Sequence, residues 1–479
     1  MKLELLPNEI LLECFKYLDH VDIFYSFDQL NYRFNKLIRN IPLHLDFRNI
    51  NTSICDQFCK KILLNQEMKK QIISLTLSNK DTCYKIQCFL SLISLDEFSH
   101  LRSLTLVDVK RNNILQLTSM LPLISQLSCF RLIDSVHRIN ELFSVLPISH
   151  LRTLMIPTLP QDLKFTCEFS SIINLTIVDC YLNELFQILK TASKLKYFNV
   201  QQLSEKGRRL MNKDLHSTNL KQLIIMDFAV KFDNLRIILK QTPNLQSLTI
   251  NVYNNINLID AIQWEQLISS SLSYLDIFKF KFGCSYYKNS IEIHEKFKSF
   301  QSDFWCKKHH WYTEYSLSKN SVLIYTLPYL SNTYQLTSYT TRYCNALMKN
   351  DNTFDNIVEL SIHPDAIREQ CQYYFPYVIS IELEDTWQFD NYYFLENQHI
   401  KSLKMIVNLS NAKHLKISSD CKRETSSILL EILKEAPQIS SITIGPDVFK
   451  SLCVNNELYE YLNRMIKKIR YIEYFDKFI

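Results

Sequence analysis

The sequence predicts an α/β fold: a short unit of three helices followed by an irregular solenoid of stacked strand-and-helix repeats, horseshoe in type. Three observations predict it. A six-residue pattern, Leu-x-x-Leu-x-Leu, recurs from about residue 70 onward. Most of its copies start about 21–29 residues apart, the length of one strand-plus-helix unit. Ahead of them, residues 1–42 hold three short apolar helical stretches and no copy of the pattern.

The first helix opens in LPNEILLECFKYLD. Pro7 suits a first helical turn, where its missing N–H is no loss, and Glu9 suits the positive end of the helix dipole. Ile10, Leu11, Cys14, Phe15 and Leu18 follow as one apolar stripe. Asp19 to Asp22 reads as a turn with a cap, then come a short helix over 23–27 and a third helix carrying Leu30, Phe34, Leu37 and Ile38. In IPLHLDF the alternation of Leu43, Leu45 and Phe47 predicts the first strand. A unit of this size buries little surface alone. Its stripe needs a partner, either the first repeat or another protein.

The repeats run Ile72/Leu75/Leu77, Leu101/Leu104/Leu106, Leu127/Phe130/Leu132, Leu151/Leu154/Ile156 and Ile172/Leu175/Ile177. They continue at Leu195/Phe198/Val200, Leu220/Leu223/Ile225, Leu245/Leu248/Ile250 and Leu272/Leu275/Ile277. They resume at Ile357/Leu360/Ile362, Val378/Ile381/Leu383, Ala412/Leu415/Ile417 and Ile439/Ile442/Ile444. The last two apolar positions of each copy alternate and so face one side of a strand. Between copies the spacing turns helical: Leu182, Leu185, Phe186 and Leu189 share one face, as do Ile428, Leu429, Ile432 and Leu433. Pro122, Pro147, Pro243 and Pro437 are expected to stop helices.

Residues about 280–350 break the pattern. They hold a polar helix candidate over 291–304, then two strands around the turn Ser318–Asn320, and read either as a long insertion or as degenerate repeats. The segment 450–479 reads as a polar-faced cap that closes an open core.

The repeats resemble the leucine-rich repeat family. The fullest match is IINLTIVDCYL, in which Ile172, Leu175, Ile177, Cys180 and Leu182 fill the five consensus positions. Val109, Phe228 and Tyr253 stand where the family has Asn or Cys, so an irregular superhelix is expected. The opening unit resembles the F-box, through Leu6, Pro7, Glu9, Ile10, Leu11, Phe15, Leu18, Val21, Ile23 and Leu30. The tryptophan usual in the family's third helix is absent, with Phe34 nearby. This resemblance implies that those ten residues dock on a Skp-family adaptor, itself held by a cullin. It implies domains 1–42 and 43–479, the second holding a protein substrate for ubiquitin transfer by a separate enzyme. The competing expectations are a binding scaffold that uses the helices with an adaptor but never delivers ubiquitin, or uses them only as a cap, and a leucine-rich enzyme inhibitor or similar recognition protein. An exposed stripe from Leu6 to Leu18 favours the adaptor; a buried one favours the cap.

Composition narrows the alternatives. The net charge of +5 is small for 479 residues and gives no reason to expect nucleic acid. The chain has three glycines, Gly207, Gly283 and Gly445, far apart, so phosphate-binding glycine loops and a nucleophile elbow have no place. None of the 14 cysteines forms Cys-x-x-Cys, and Glu4 and Glu9 interrupt the opening apolar run as no secretory signal would have it. Reduced cysteines and a cytoplasmic or nuclear protein are expected, with no membrane partner. Cys306, His309 and His310 lack a second ligand pair at zinc spacing, and His294-Glu295 lacks the second histidine of a zinc helix, so no metal or other cofactor is expected. Glu382, Glu384 and Asp385 have no paired base or nucleophile nearby in sequence, and no enzymatic activity is expected. For the substrate, Arg102, Arg131, Arg152, Lys196 and Lys221 lie between buried leucines. They suggest a mildly basic concave face for an acidic or phosphorylated segment, unless they only keep the strands wet.

Overall fold

The structure is a computed structural model. It describes residues 3–18, 20–48, 50, 52–80, 82, 84–134, 139–160, 167–205, 219–229, 231–253, 256–285, 290–318, 321–337, 340–343, 353–363, 366–367, 372–383, 397–417, 425–444, 456–466 and 471–473. The fold is mixed α/β: among the described residues thirteen strands belong to one sheet and six to a second. The chain divides into two compact units, Met1–Thr249 with Leu267–Leu275, and Ile250–Gln266 with Asp276–Ile479.

In the first unit, helices α1 (Asn8–Phe15), α2 (His20–Phe27) and α3 (Tyr32–Ile38) precede strand β1 (Leu43–Asp46). Then come β2 (Ile72–Ser78), β3 (Ser103–Val107), β4 (Cys129–Ile133), β5 (Thr153–Thr158), β6 (Asn174–Tyr181), β7 (Tyr197–Ser204) and β8 (Gln222–Ala229). Each pairs in parallel with the next. Parallel neighbours need a crossover of a dozen residues or more, which explains the long repeat. The register puts like residues side by side. Leu75, Leu104, Phe130, Leu154, Leu175, Phe198 and Leu223 form one buried row. Each such side chain contributes about 1.5–3 kcal/mol on burial.

The helix over Leu182–Thr191 buries the predicted face. Val109 and Phe228 are buried where the consensus has a polar residue, while Tyr253 is exposed. An α-helix ends just before each of the four prolines, at Met120, Val145, Lys240 and Glu435; Pro122 then sits in a 3-10 turn and Pro147 caps another. Pro7 is the N-cap of α1 rather than a residue of its first turn, and Leu3–Leu5 form a 3-10 turn before it.

After β9 (Ser247–Val252), the second unit holds β10 (Ile277–Ser285), β11 (Thr313–Leu317) and β12 (Ser321–Thr326). Strands β10 and β11 both pair antiparallel with β12, so the expected two strands around residue 319 are a hairpin. The expected helix over 291–304 is Ser290–Ser299, and Phe304–Lys308 is a separate π-helical turn. Strands β13 (Thr333–Leu336) and β14 (Thr341–Tyr343) follow, β14 pairing with β11. The smaller sheet runs β13, β15 (Glu359–Ile362), β16 (Ser380–Leu383), β17 (His414–Ile417), β18 (Ser441–Ile444) and β19 (Tyr471–Glu473), all parallel. The C-terminal segment is thus more than a cap: besides the helix Asn456–Ile466, it adds β19 to the sheet.

A buried ion pair joins β14 to β11. Arg342 on β14 donates Nε to Glu314 Oε2 at 2.8 Å and Nη2 to Glu314 Oε1 at 3.0 Å. Its remaining donors reach Gln372 O at 2.8 Å and Thr353 Oγ1 at 3.2 Å. The guanidinium lies 4.8 Å from the ring centre of Phe354 and 5.8 Å from that of Tyr373. Both charged side chains are almost wholly buried.

Candidate functional site

The apolar stripe of the opening helices is divided in two. Leu11, Phe15, Val21 and Ile23 are buried. Phe15, Phe27 and Phe34 form their centre: Phe15 lies 5.2 Å from Phe27, which stacks on Phe34 at 5.3 Å. Phe34, the residue near the family's tryptophan position, is fully buried. This face rests on the first strand unit. Phe24 meets Phe58 of the helix Thr52–Leu64 edge to face at 5.9 Å. Gln71 Nε2 donates to Ile38 O and Ile41 O at 3.0 and 3.1 Å. Lys61 reaches Asp28 at 3.3 Å.

The other side stays in solvent. Ile10 (47%), Leu18 (43%) and Leu30 (53%) are exposed, Pro7 and Glu9 are exposed, and Leu6 is half-buried. The helical spacing of Pro7, Ile10, Cys14 and Tyr17 puts them along one line, and Cys14 and Tyr17 are exposed too. Leu3, Leu5 and Tyr32 extend the exposed apolar surface. Sequence reasoning missed Leu3, Leu5, Tyr17 and Tyr32 as surface residues. For Tyr17 the signal was there, in the three- and four-residue steps running back to Pro7.

Arg33 fixes this surface. Its Nε donates to Asn8 Oδ1 at 2.8 Å, Nη1 to Glu4 O at 2.6 Å and Nη2 to Leu6 O. One side chain of α3 thereby holds residues 4–8. Asn31 caps α3 by accepting from Phe34 N at 2.9 Å. At the rim, the hydrogen bond from Lys16 to Glu13 holds the Lys16 ammonium above its usual pKa.

Five basic residues were singled out on the strands, and all are exposed. Only Arg131 lies within a strand; Arg102, Arg152, Lys196 and Lys221 each stand one residue before one. Glu384 and Asp385 lie outside the described residues, while Glu382 pairs with Lys416 at 2.6 Å. Cys306 is buried in the π-helical turn, and His309 stacks on Trp311 at 4.2 Å. Burial holds the His309 imidazole below its usual pKa. Among the described residues no group of three or more His, Cys, Asp or Glu is placed to hold a metal ion. No helix among them is long and apolar enough to cross a membrane.

No protein-family model matches this chain, and no curated protein matches it significantly.

Proposed function

We propose that this chain is the substrate-recognition subunit of a ubiquitin ligase of the Skp–cullin–F-box type. In this reading the opening helices are an F-box that docks on a Skp-family adaptor, and through it a cullin. The strand repeats are an irregular leucine-rich solenoid that holds a protein substrate, and the chain supplies no catalytic residue. The observation that carries it is the exposed apolar side of the helices. Leu5, Ile10, Tyr17, Leu18 and Leu30 stand in solvent around a first turn held by Arg33. Exposed apolar side chains gathered in one small unit mark an interaction surface. The Leu-Pro-x-Glu-Ile order of residues 6–10 supports the same assignment.

A second reading draws on the buried side. Leu11, Phe15, Val21 and Ile23 are satisfied within the chain, as a cap on the first strand requires. Under it the protein is a recognition scaffold without ubiquitin transfer.

Co-expression with a tagged Skp-family adaptor separates the two. Ile10→Asp puts a charge on the exposed side without entering the core, and Pro7→Ala alters the helix start. The adaptor is expected to retain the natural chain and to lose Ile10→Asp. If the natural chain folds and ignores the adaptor, the F-box reading fails and the cap reading stands.

A further inference from the structure

The register of the first unit sorts charge by sign across its strands. At the strand starts the backbone ladder runs Arg102, Ser128, Arg152, Ile173, Lys196, Lys221. Each residue from Ser128 onward donates its N–H to the carbonyl of the one before, at 2.8–2.9 Å. At the strand ends, Asp108 N donates to Ile133 O beside Asp134, and Thr158, Asp179, Gln202 and Asp227 align in one row. Arg102, Arg152, Lys196 and Lys221 are exposed, and so are Asp134, Asp179 and Asp227. Among the described residues none of these seven is in an ion pair, whereas Asp108 is matched by Lys110 at 2.7 Å.

Between the two rows the half-exposed strand residues carry no charge, and the exposed Arg131 is a charged residue among them. Met155, Thr176, Asn199 and Ile224 face solvent in part, with Val178 and Met226 beside the acidic row. A basic row alone suits an acidic or phosphorylated segment. Here such a segment meets carboxylates on the far side.

We propose that this face docks an amphipathic helix of a partner protein, with an uncharged side down, acidic residues on one flank and basic residues on the other. The dimensions fit. Six residues of strand separate the rows by about 20 Å, and five strand spacings from β3 to β8 span about 24 Å. A helix is about 10–12 Å across and rises about 1.5 Å per residue. About 16 residues would cover the face, with room on each flank for one long charged side chain. Opposed rims would also fix the direction in which the helix lies. This site does not depend on the adaptor reading.

The test uses the full chain and fluorescently labelled 18-residue synthetic helices with one uncharged leucine-methionine-threonine side. One probe carries Glu on one flank and Lys on the other, a second Glu on both, a third Lys on both. The mixed probe is expected to bind about tenfold more tightly than either uniform probe, less so at high salt, since rim-exposed pairs contribute little individually. Reversing the basic row, with Arg102→Glu, Arg152→Glu, Lys196→Glu and Lys221→Glu combined, is expected to transfer preference to the all-Lys probe. A misfolded variant would not gain a partner. Equal binding of all three probes, tighter binding of the all-Glu probe, or no binding of any overturns the proposal. Capture of the reversed variant by the adaptor reports on the other reading separately.

Discussion

Replacing Arg342 with Met strands the buried carboxylate of Glu314 while leaving an apolar stem against Phe354 and Tyr373. Two charge-assisted bonds to the carboxylate, at 2.8 and 3.0 Å, disappear together. Removing one partner of a buried pair costs about 3–5 kcal/mol, mostly the penalty of an uncompensated charge. Adding Glu314→Leu removes that charge. What then remains includes the loss of donors to Gln372 O and Thr353 Oγ1 and of the carboxylate that accepts from the buried Tyr325 hydroxyl at 3.5 Å, about 1–3 kcal/mol. The double variant is therefore expected to be more stable than Arg342→Met alone by about 2 kcal/mol. A chain of two units does not unfold as one step, so the assay has to be local. Hydrogen exchange of the amides of β11 and β14 under increasing urea reads the opening free energy there. A double variant less protected than Arg342→Met, or an unchanged Arg342→Met, would refute the reasoning.

Three further outcomes follow from local geometry. A Cβ on Gly283 would lie 2.5 and 2.8 Å from ring carbons of Tyr253 and 3.4 Å from Leu323. Gly283→Ala is expected to cost about 1–3 kcal/mol in the exchange of β10 and β12, and Tyr253→Ala to restore most of it; full protection of the single variant would count against this. Alkylation followed by mass spectrometry should mark the exposed Cys14 and Cys88 well before the buried Cys180, because burial pushes the Cys180 thiol up and closes access to it. Early labelling of Cys180 would show that its strand opens. Burial, and then Tyr343, push the Tyr315 phenol from 10.0 up to about 12. The folded state thus favours the neutral phenol. That stabilisation is complete below 10.0 and is lost as pH rises toward 12. Tyr315→Phe should flatten this alkaline loss in the melting transition of the second unit, and an equally steep loss in the variant would remove Tyr315 as its cause.

Periodicity alone located most of the strands. Leu104 and Leu106, or Leu175 and Ile177, must share a face because a strand alternates, and that holds whatever surrounds them. The sequence also determined the three opening helices and the hairpin near residue 319. It did not decide which half of the opening stripe faces inward. Ile10 and Leu11 are adjacent and equally apolar, and only tertiary packing, with Phe15, Phe27 and Phe34 gathered against one another, buries Leu11 and leaves Ile10 out. Arg33 as the clamp on residues 4–8, and the pairing of Glu314 with Arg342, join residues more than twenty positions apart. The two charged rows were hidden for the same reason. Asp179 and Asp227 stand 48 positions apart in the chain, and Gln202 links them in one row. Parallel register makes neighbours of residues one repeat apart, and that register is set by how the buried rows of leucine and phenylalanine pack.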